Sequence, residues 1–90
     1  MKTRSELIKK AAQKVGDDFA KATDVKVGFI PSKNIASDSG ELVVIFYAMS
    51  NGSLNEVAQT YIRVNTNKTD VNAMMSAPTI CTIQEYIEEA

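Results

Sequence analysis

The side chains that could do chemistry in this 90-residue chain are carboxylates, lysines, arginines, three tyrosines and one cysteine, because histidine is absent. Histidine is the commonest general acid or base near neutral pH and a frequent metal ligand. Its absence excludes most hydrolytic triads, most transition-metal sites and most proton shuttles. The sequence therefore favours binding over catalysis, and we predict no enzymatic activity, no cofactor and no metal site.

The remaining reactive groups are not spaced as a catalytic set. Cys81 is the single cysteine, so we expect a small buried apolar side chain rather than a reactive thiol. Asp17 and Asp18 are adjacent on a helical segment, which does not place two carboxylates across a cleft. The polar loop from Pro31 to Gly40 lacks the glycine spacing of a phosphate-binding loop and leads into a strand.

Basic and acidic residues are distributed unevenly along the chain. Residues 1–34 carry eight basic and four acidic side chains, whereas residues 35–90 carry two basic and seven acidic ones. The basic N-terminal segment supports an alternative hypothesis, a nucleic-acid-binding module with Tyr47 and Tyr61 as stacking groups. A dedicated nucleic-acid binder concentrates more positive charge, so this hypothesis ranks second. Its footprint would comprise Lys2, Arg4, Lys9, Lys10 and Lys14.

Size and composition indicate one α+β domain over residues 1–90. The chain is 44% hydrophobic and 23% charged, as globular proteins are. No apolar stretch approaches the roughly 20 residues that span a bilayer, and the N-terminal segment is amphipathic rather than a signal core. With one cysteine and no other covalent staple, we expect a cytoplasmic protein with no membrane contact.

Apolar residues at helical spacing predict an N-terminal helix that continues to about residues 22–24. Thr3 and Glu6 have the spacing of a capping box at its start. Gly16 lies inside the pattern, and we interpret it as a point of close packing against the sheet. The residues of the buried face are Leu7, Ile8, Ala11, Ala12, Val15 and Phe19.

Three strands and one or two short helices follow. Residues 25–29 alternate between apolar side chains and other residues, residues 42–49 are apolar on both parities, and residues 54–64 form the third strand. Asp70 or Thr69 can cap one short helix that Pro78 ends, and Thr82 with Glu85 forms a capping box for the last helix. This order predicts a two-layer sandwich: an N-terminal helix, a three-stranded antiparallel meander, and one or two C-terminal helices.

The turn at Ser50-Asn51-Gly52 decides which side chains share a face of the sheet. A three-residue loop would pair Met49 with Ser53 and place Phe46 opposite Glu56, with Glu56 at the rim of the core face. A two-residue turn would exchange the faces. The three-residue register assigns to the core face Leu42, Val44, Phe46, Ala58, Thr60, Ile62 and Val64.

The opposite face of the sheet is the leading candidate for a binding surface. A two-layer domain leaves one sheet face to solvent, and contiguous apolar surface there usually marks an interaction site. The alternative is that the C-terminal helix crosses over and covers it. We predict that a protein partner, or a second copy in a two-fold homodimer, binds a surface formed by Val43, Ile45, Tyr47, Val57, Tyr61 and Arg63.

No motif identifies a family. The element order resembles the double-stranded RNA-binding domain, which holds phosphates with lysines at the start of its last helix. The corresponding residues here, Thr69-Asp70-Val71-Asn72 or Thr82-Ile83-Gln84-Glu85, are neutral to acidic. The order is also similar to that of compact phage-encoded inhibitors, which implies a small inhibitor or accessory protein of phage or mobile-element type acting by occlusion or scaffolding.

Overall fold

The helical and alternating patterns of the sequence form two layers, helices on one side and an antiparallel sheet on the other. The computed structural model describes residues 4–31, 39–75 and 79–88. The predicted α+β fold with its three-stranded meander is confirmed. The elements in chain order are α1 (Arg4–Val15), a 3₁₀ helix (Gly16–Lys21), β1 (Asp24–Pro31), β2 (Ser39–Ser50), β3 (Ser53–Asn65), α2 (Val71–Met74), β4 (Cys81–Thr82) and α3 (Ile83–Glu88).

The helix α1 is shorter than its hydrophobic pattern predicts because Gly16 ends it. Gly16 has a φ of +65°, a left-handed conformation that favours glycine just after a helix. No atom lies within 4 Å of the position that a Cβ on Gly16 would occupy, so the interpretation of close packing there is wrong. The 3₁₀ helix that follows keeps Phe19 on the core side, which explains why the helical pattern continued past Val15.

The sheet has the order β3-β2-β1-β4, so β1 and β2 are central. The strand β4 was not predicted, because its two residues carry no alternating pattern of their own. Cys81 lies opposite Val25 of β1, half-buried and packed against the core. The fourth strand therefore arises from a tertiary contact rather than from local sequence.

The β2–β3 hairpin turns through two residues, not three. Asn51 and Gly52 both have positive φ, as a type I′ turn requires, and Ser50 pairs with Ser53. The expected three-residue register, with Met49 opposite Ser53, is therefore wrong.

A β-bulge nevertheless restores the predicted division of faces. Tyr47 lies opposite Glu56 whereas Phe46 lies opposite Ala58, which leaves Val57 as the extra residue of β3. A shift of one residue in the register moves every side chain of a strand to the opposite face. The turn is one residue shorter than expected, which causes one such shift in β3. The extra residue of the bulge causes a second shift, which reverses the first. The core-face set of β2 and β3 is confirmed, but Glu56 lies opposite Tyr47 and not, as expected, opposite Phe46.

The core lies between the sheet and the helices. Phe46 is the largest sheet residue in it, and the Phe19 ring packs edge-on against the Phe46 ring with centroids 5.4 Å apart. All three helices contribute to this layer. The buried side chains are Leu7, Ile8, Ala11, Val25, Val27, Leu42, Val44, Phe46, Ile62, Val64, Met74 and Tyr86.

Side-chain caps begin both C-terminal helices, as the sequence predicts. The Asp70 carboxylate accepts a hydrogen bond from the Ala73 backbone N–H at 3.1 Å. The Thr82 hydroxyl accepts one from the Glu85 N–H, also at 3.1 Å. Two other predicted signals, Thr3 and Pro78, lie outside the described residues.

The ring of Phe29 packs against the backbone of Gly40 and occupies the space that a side chain at position 40 would need. A Cβ on Gly40 would be 2.5 Å from Cε1 and 2.6 Å from Cζ of that ring. We expect Gly40→Ala to lower the free energy of unfolding by about 1–3 kcal/mol, because both the half-buried ring and the Ile30 backbone carbonyl, 3.0 Å from the new Cβ, must shift. Gly28→Ala is the matched control, since no atom lies within 4 Å of its Cβ position. Urea denaturation of both variants measures the difference, and equal stabilities would contradict the expectation.

Candidate protein-binding surface

The surface of interest is the side of the sheet that faces away from the helices. The pairs Ser39–Asn65 and Met49–Leu54 of β2 and β3 continue this side of the sheet at its two ends. Its central part consists of four rows of three residues, one from each of three strands in register. We call this surface the outer face, and it comprises Asp24, Lys26, Gly28 and Ile30 of β1, Glu41, Val43, Ile45 and Tyr47 of β2, and Glu56, Gln59, Tyr61 and Arg63 of β3.

The middle of the outer face is apolar, charged side chains lie around it, and Met49, 59% exposed, adds an apolar side chain at the hairpin end. Val43 and Ile45 are half-buried by their neighbours, while Tyr61 is 43% and Ile30 49% exposed. The Gln59 side-chain amide donates to the Tyr61 hydroxyl at a long 3.5 Å, and Tyr61 lies opposite Val43. Contiguous aliphatic and tyrosine side chains with a charged rim are typical of a protein interface.

The C-terminal helix does not cover the outer face. The helix α3 contacts α1, β1 and β4, and its Tyr86 is buried in the core on the helix side of the sheet. The alternative in which α3 crosses to the other side is therefore wrong. Within residues 4–31, 39–75 and 79–88, each helix packs on the core side.

Five of the six residues predicted for the binding surface lie on the outer face, and Val57 does not. As the extra residue of the bulge, Val57 has no opposed partner on β2, and its half-buried side chain packs against the core. The remaining five are brought together on β2 and β3 as expected: Val43, Ile45, Tyr47, Tyr61 and Arg63.

The strand β1 also contributes to the outer face, which was not predicted from the sequence. Lys26 lies directly opposite Ile45, and Gly28 lies opposite Val43. The alternation of residues 25–29 already separates Lys26 and Gly28 from the core residues. Their partners on β2 could not be derived, because the long connection between β1 and β2 carries no turn signal that fixes the register.

One edge of the sheet is partly covered by a lysine. The strand β3 is an edge strand, and the Lys14 ammonium of α1 donates to the backbone carbonyl of Tyr61 at 3.0 Å. A charged side chain at an edge strand discourages pairing with another strand. The outer face, rather than this edge, is therefore the more accessible surface for a partner.

The basic residues proposed for nucleic acid do not form one patch with the tyrosines. Arg4 lies over the Tyr86 ring, 4.8 Å from its centroid, and Lys14 contacts the β3 edge. Lys9 is exposed and Lys10 half-buried on α1, whereas Lys2 lies outside the described residues. Because α1 and the outer face are on opposite sides of the sheet, the stacking groups and these basic residues do not share a surface.

Away from the outer face, the described residues contain a cleft but no metal-binding cluster. Among the described residues, no group of three or more acidic, histidine or cysteine side chains could hold a metal ion. An open cleft of about 430 Å³ lies between β1 and α2, lined by Phe29, Asp70 and Met75 among others. Its polar lining residues are Thr66, Thr69, Asp70 and Asn72, and the Asp70 carboxylate already caps α2.

Comparisons with known proteins return no matching family, no matching curated protein and no matching solved structure. In the described part of the chain, the helices are too short and too polar to traverse a bilayer. Inference about function therefore depends on the geometry of the outer face.

Proposed function

We propose that this chain is a non-enzymatic protein-binding module that acts by occlusion or scaffolding through its outer face. The observation that supports it is the apolar patch of the half-buried Val43 and Ile45 with the exposed Tyr61, on a sheet that the helices cover from the other side. A solvated sheet face is normally polar. Tyrosine and arginine are also the residue types enriched at binding hot spots, and Tyr61 and Arg63 are both exposed here.

Two further statements stay predictions from size and composition. One is that the protein is cytoplasmic, and the other is that it is an inhibitor or accessory protein of phage or mobile-element type. Both are compatible with a module that has no chemistry of its own to perform. The mechanism in either setting is steric: a rigid sheet covers a surface of its partner or joins two partners.

The test is Ile45→Glu, compared with the same substitution at Ile87 on α3. Lys26 lies opposite Ile45 and can pair with the new carboxylate, so the fold is expected to survive. We expect the variant to lose the associations of the wild-type chain, because a charge now lies at the centre of the patch. Light scattering measures self-association, and affinity capture followed by mass spectrometry measures other partners.

Ile87→Glu is the matched control, since Ile87 is 40% exposed on the helix side. Associations that persist in Ile87→Glu and disappear in Ile45→Glu would support the proposal. An Ile45→Glu chain with the wild-type thermal midpoint and unchanged associations would refute it. Retention of RNA or DNA on a filter at low salt, unaffected by Ile45→Glu, would refute it in favour of the nucleic-acid hypothesis. Tyr61→Ala serves as a second probe if the Ile45 variant fails to fold.

A further inference from the structure

We infer that the partner on the outer face is a second copy of the chain, packed sheet against sheet about a two-fold axis that runs across the strands. This deepens the proposed function and rests on it. The observation that carries it is the placement of Arg63 and Glu56 at opposite ends of β3, which opposes Arg63 of each copy to Glu56 of the other in this arrangement. The same arrangement places Asp24 over Ile30 and Glu41 over Tyr47.

Cross-strand pairing arranges the outer face in four rows. The two inner rows hold the aliphatic centre, and both end rows carry charge. From the hairpin end, the rows are Asp24–Tyr47–Glu56, Lys26–Ile45–Gln59, Gly28–Val43–Tyr61 and Ile30–Glu41–Arg63.

An axis across the strands reverses the rows and keeps each strand over its own copy. Arg63 of each copy then faces Glu56 of the other, which forms two ion pairs at one side of the interface. Ile45 packs on Val43 in the centre. Lys26 lies over Gly28, where the missing side chain leaves room for the lysine stem, and its ammonium is one row from Glu41 of the other copy.

An axis along the strands gives the opposite electrostatic result. It keeps each row in place and exchanges β1 with β3, so Asp24 faces Glu56 of the other copy. Glu41 then faces its own equivalent. Like charges opposed across an interface disfavour that geometry, so the charge pattern selects the axis across the strands.

The size of the patch predicts a reversible dimer. Three strands about 4.8 Å apart and four rows about 7 Å apart give a footprint of about 400 Å² per copy. Footprints of this size lie below the range of stable, specific protein interfaces and fit a weak or transient association. We therefore expect a Kd of roughly micromolar order that rises with salt, since the ion pairs lie at the solvated rim.

Exchange of the two charges tests the arrangement. Arg63→Glu and Glu56→Arg each create two like-charge contacts, and we expect each to raise the dimer Kd about tenfold or more at low salt. The double variant Arg63→Glu/Glu56→Arg restores both pairs, with a Kd within about threefold of wild type. Sedimentation equilibrium of the full chain over a concentration series measures all four Kd values. Both side chains are exposed, so the variants are expected to keep the wild-type thermal midpoint.

Lys9→Glu is the matched control, because it makes the same charge change on the exposed side of α1. Its Kd should equal that of wild type. A wild-type chain that stays monomeric throughout the series, single variants with unchanged Kd, or a double variant no tighter than the singles would each overturn the inference. A different result would separate this inference from the proposed function. If the wild-type chain is monomeric but captures a different protein, and Ile45→Glu loses that capture, the inference of a second copy is overturned and the proposed function stands.

Discussion

Phe46→Ala is expected to lower the free energy of unfolding by about 3–5 kcal/mol, the largest loss among single sheet substitutions in this chain. Phe46 has no solvent exposure, and its ring meets the Phe19 ring edge-on at an interplanar angle of 84°. The substitution leaves a cavity between the sheet and the 3₁₀ helix. A small domain has a total stability of roughly 5–15 kcal/mol, so the variant approaches the limit of folding.

Urea denaturation followed by far-ultraviolet circular dichroism measures this loss. Phe19→Ala and the double variant complete a cycle, in which the coupling between the two rings should be about 0.5–1.5 kcal/mol. Tyr61→Ala, a comparable aromatic truncation on the outer face, is the control and should cost much less. A Phe46→Ala loss below that of Tyr61→Ala would show that the core is not on the helix side of the sheet.

Tyr86→Ala should detach α3 and cost about 3–4 kcal/mol. Tyr86 is 1% exposed, and α3 has six residues, too few to be stable without tertiary packing. The Thr82 cap alone cannot hold such a short helix. Hydrogen exchange of the α3 amides should accelerate more than that of the β2 amides. Equal protection of α3 in both proteins would contradict the anchoring role of Tyr86.

Tyr86→Phe is the conservative control, and it also tests the ionisation of the phenol. The hydroxyl is buried beside the Arg4 guanidinium, which lies 4.8 Å from the ring centroid, and its removal should change stability at neutral pH far less than Tyr86→Ala does. Burial raises the pKa of Tyr86 to about 12, although the nearby Arg4 charge opposes the rise. As the pH rises, the phenol of the unfolded chain therefore loses its proton before that of the folded chain. The stabilisation that comes from burying the neutral phenol is fully present below pH 10 and is lost between pH 10 and 12. Tyr86→Phe should lack this part of the alkaline destabilisation, as urea midpoints across that range would show.

The faces of the elements were predictable from the sequence, whereas their pairing was only partly so. Burial imposes periods of two and 3.6 residues, which separate Val25 and Val27 from Lys26 and Gly28 on β1. The strand β2 is apolar on both parities, so its inward and outward residues were assigned only through the expected pairing with β3. Register depends on turn length and bulges, which a period does not encode. The correct division of β2 and β3 followed from two errors that cancel, a turn one residue too long and an unrecognised bulge.

The end of α1 and the strand β4 show two other limits of local pattern. Phe19 lies four residues after Val15, so the hydrophobic spacing continued through Gly16 although the glycine is a recognised stop signal. The pairing of Cys81 with Val25 depends on where α3 docks, which no residue near Cys81 specifies. For the binding surface, the sequence identified the residues of β2 and β3, but the Lys26 and Gly28 neighbours required the structure.

The bulge at Val57 also determines how the hairpin can vary in length. Because β3 holds one residue more than β2 requires, loss of any single residue between Ser53 and Ala58 would turn the bulge into a regular ladder. Every residue pair from Phe46–Ala58 toward the far end of the hairpin would keep its partner, and over that length both faces would keep their side chains. Insertion of one residue in the same segment would instead give β3 a second residue without a partner on β2, which would require a second bulge. Among related sequences, a one-residue deletion near the hairpin tip should therefore be tolerated more readily than a one-residue insertion.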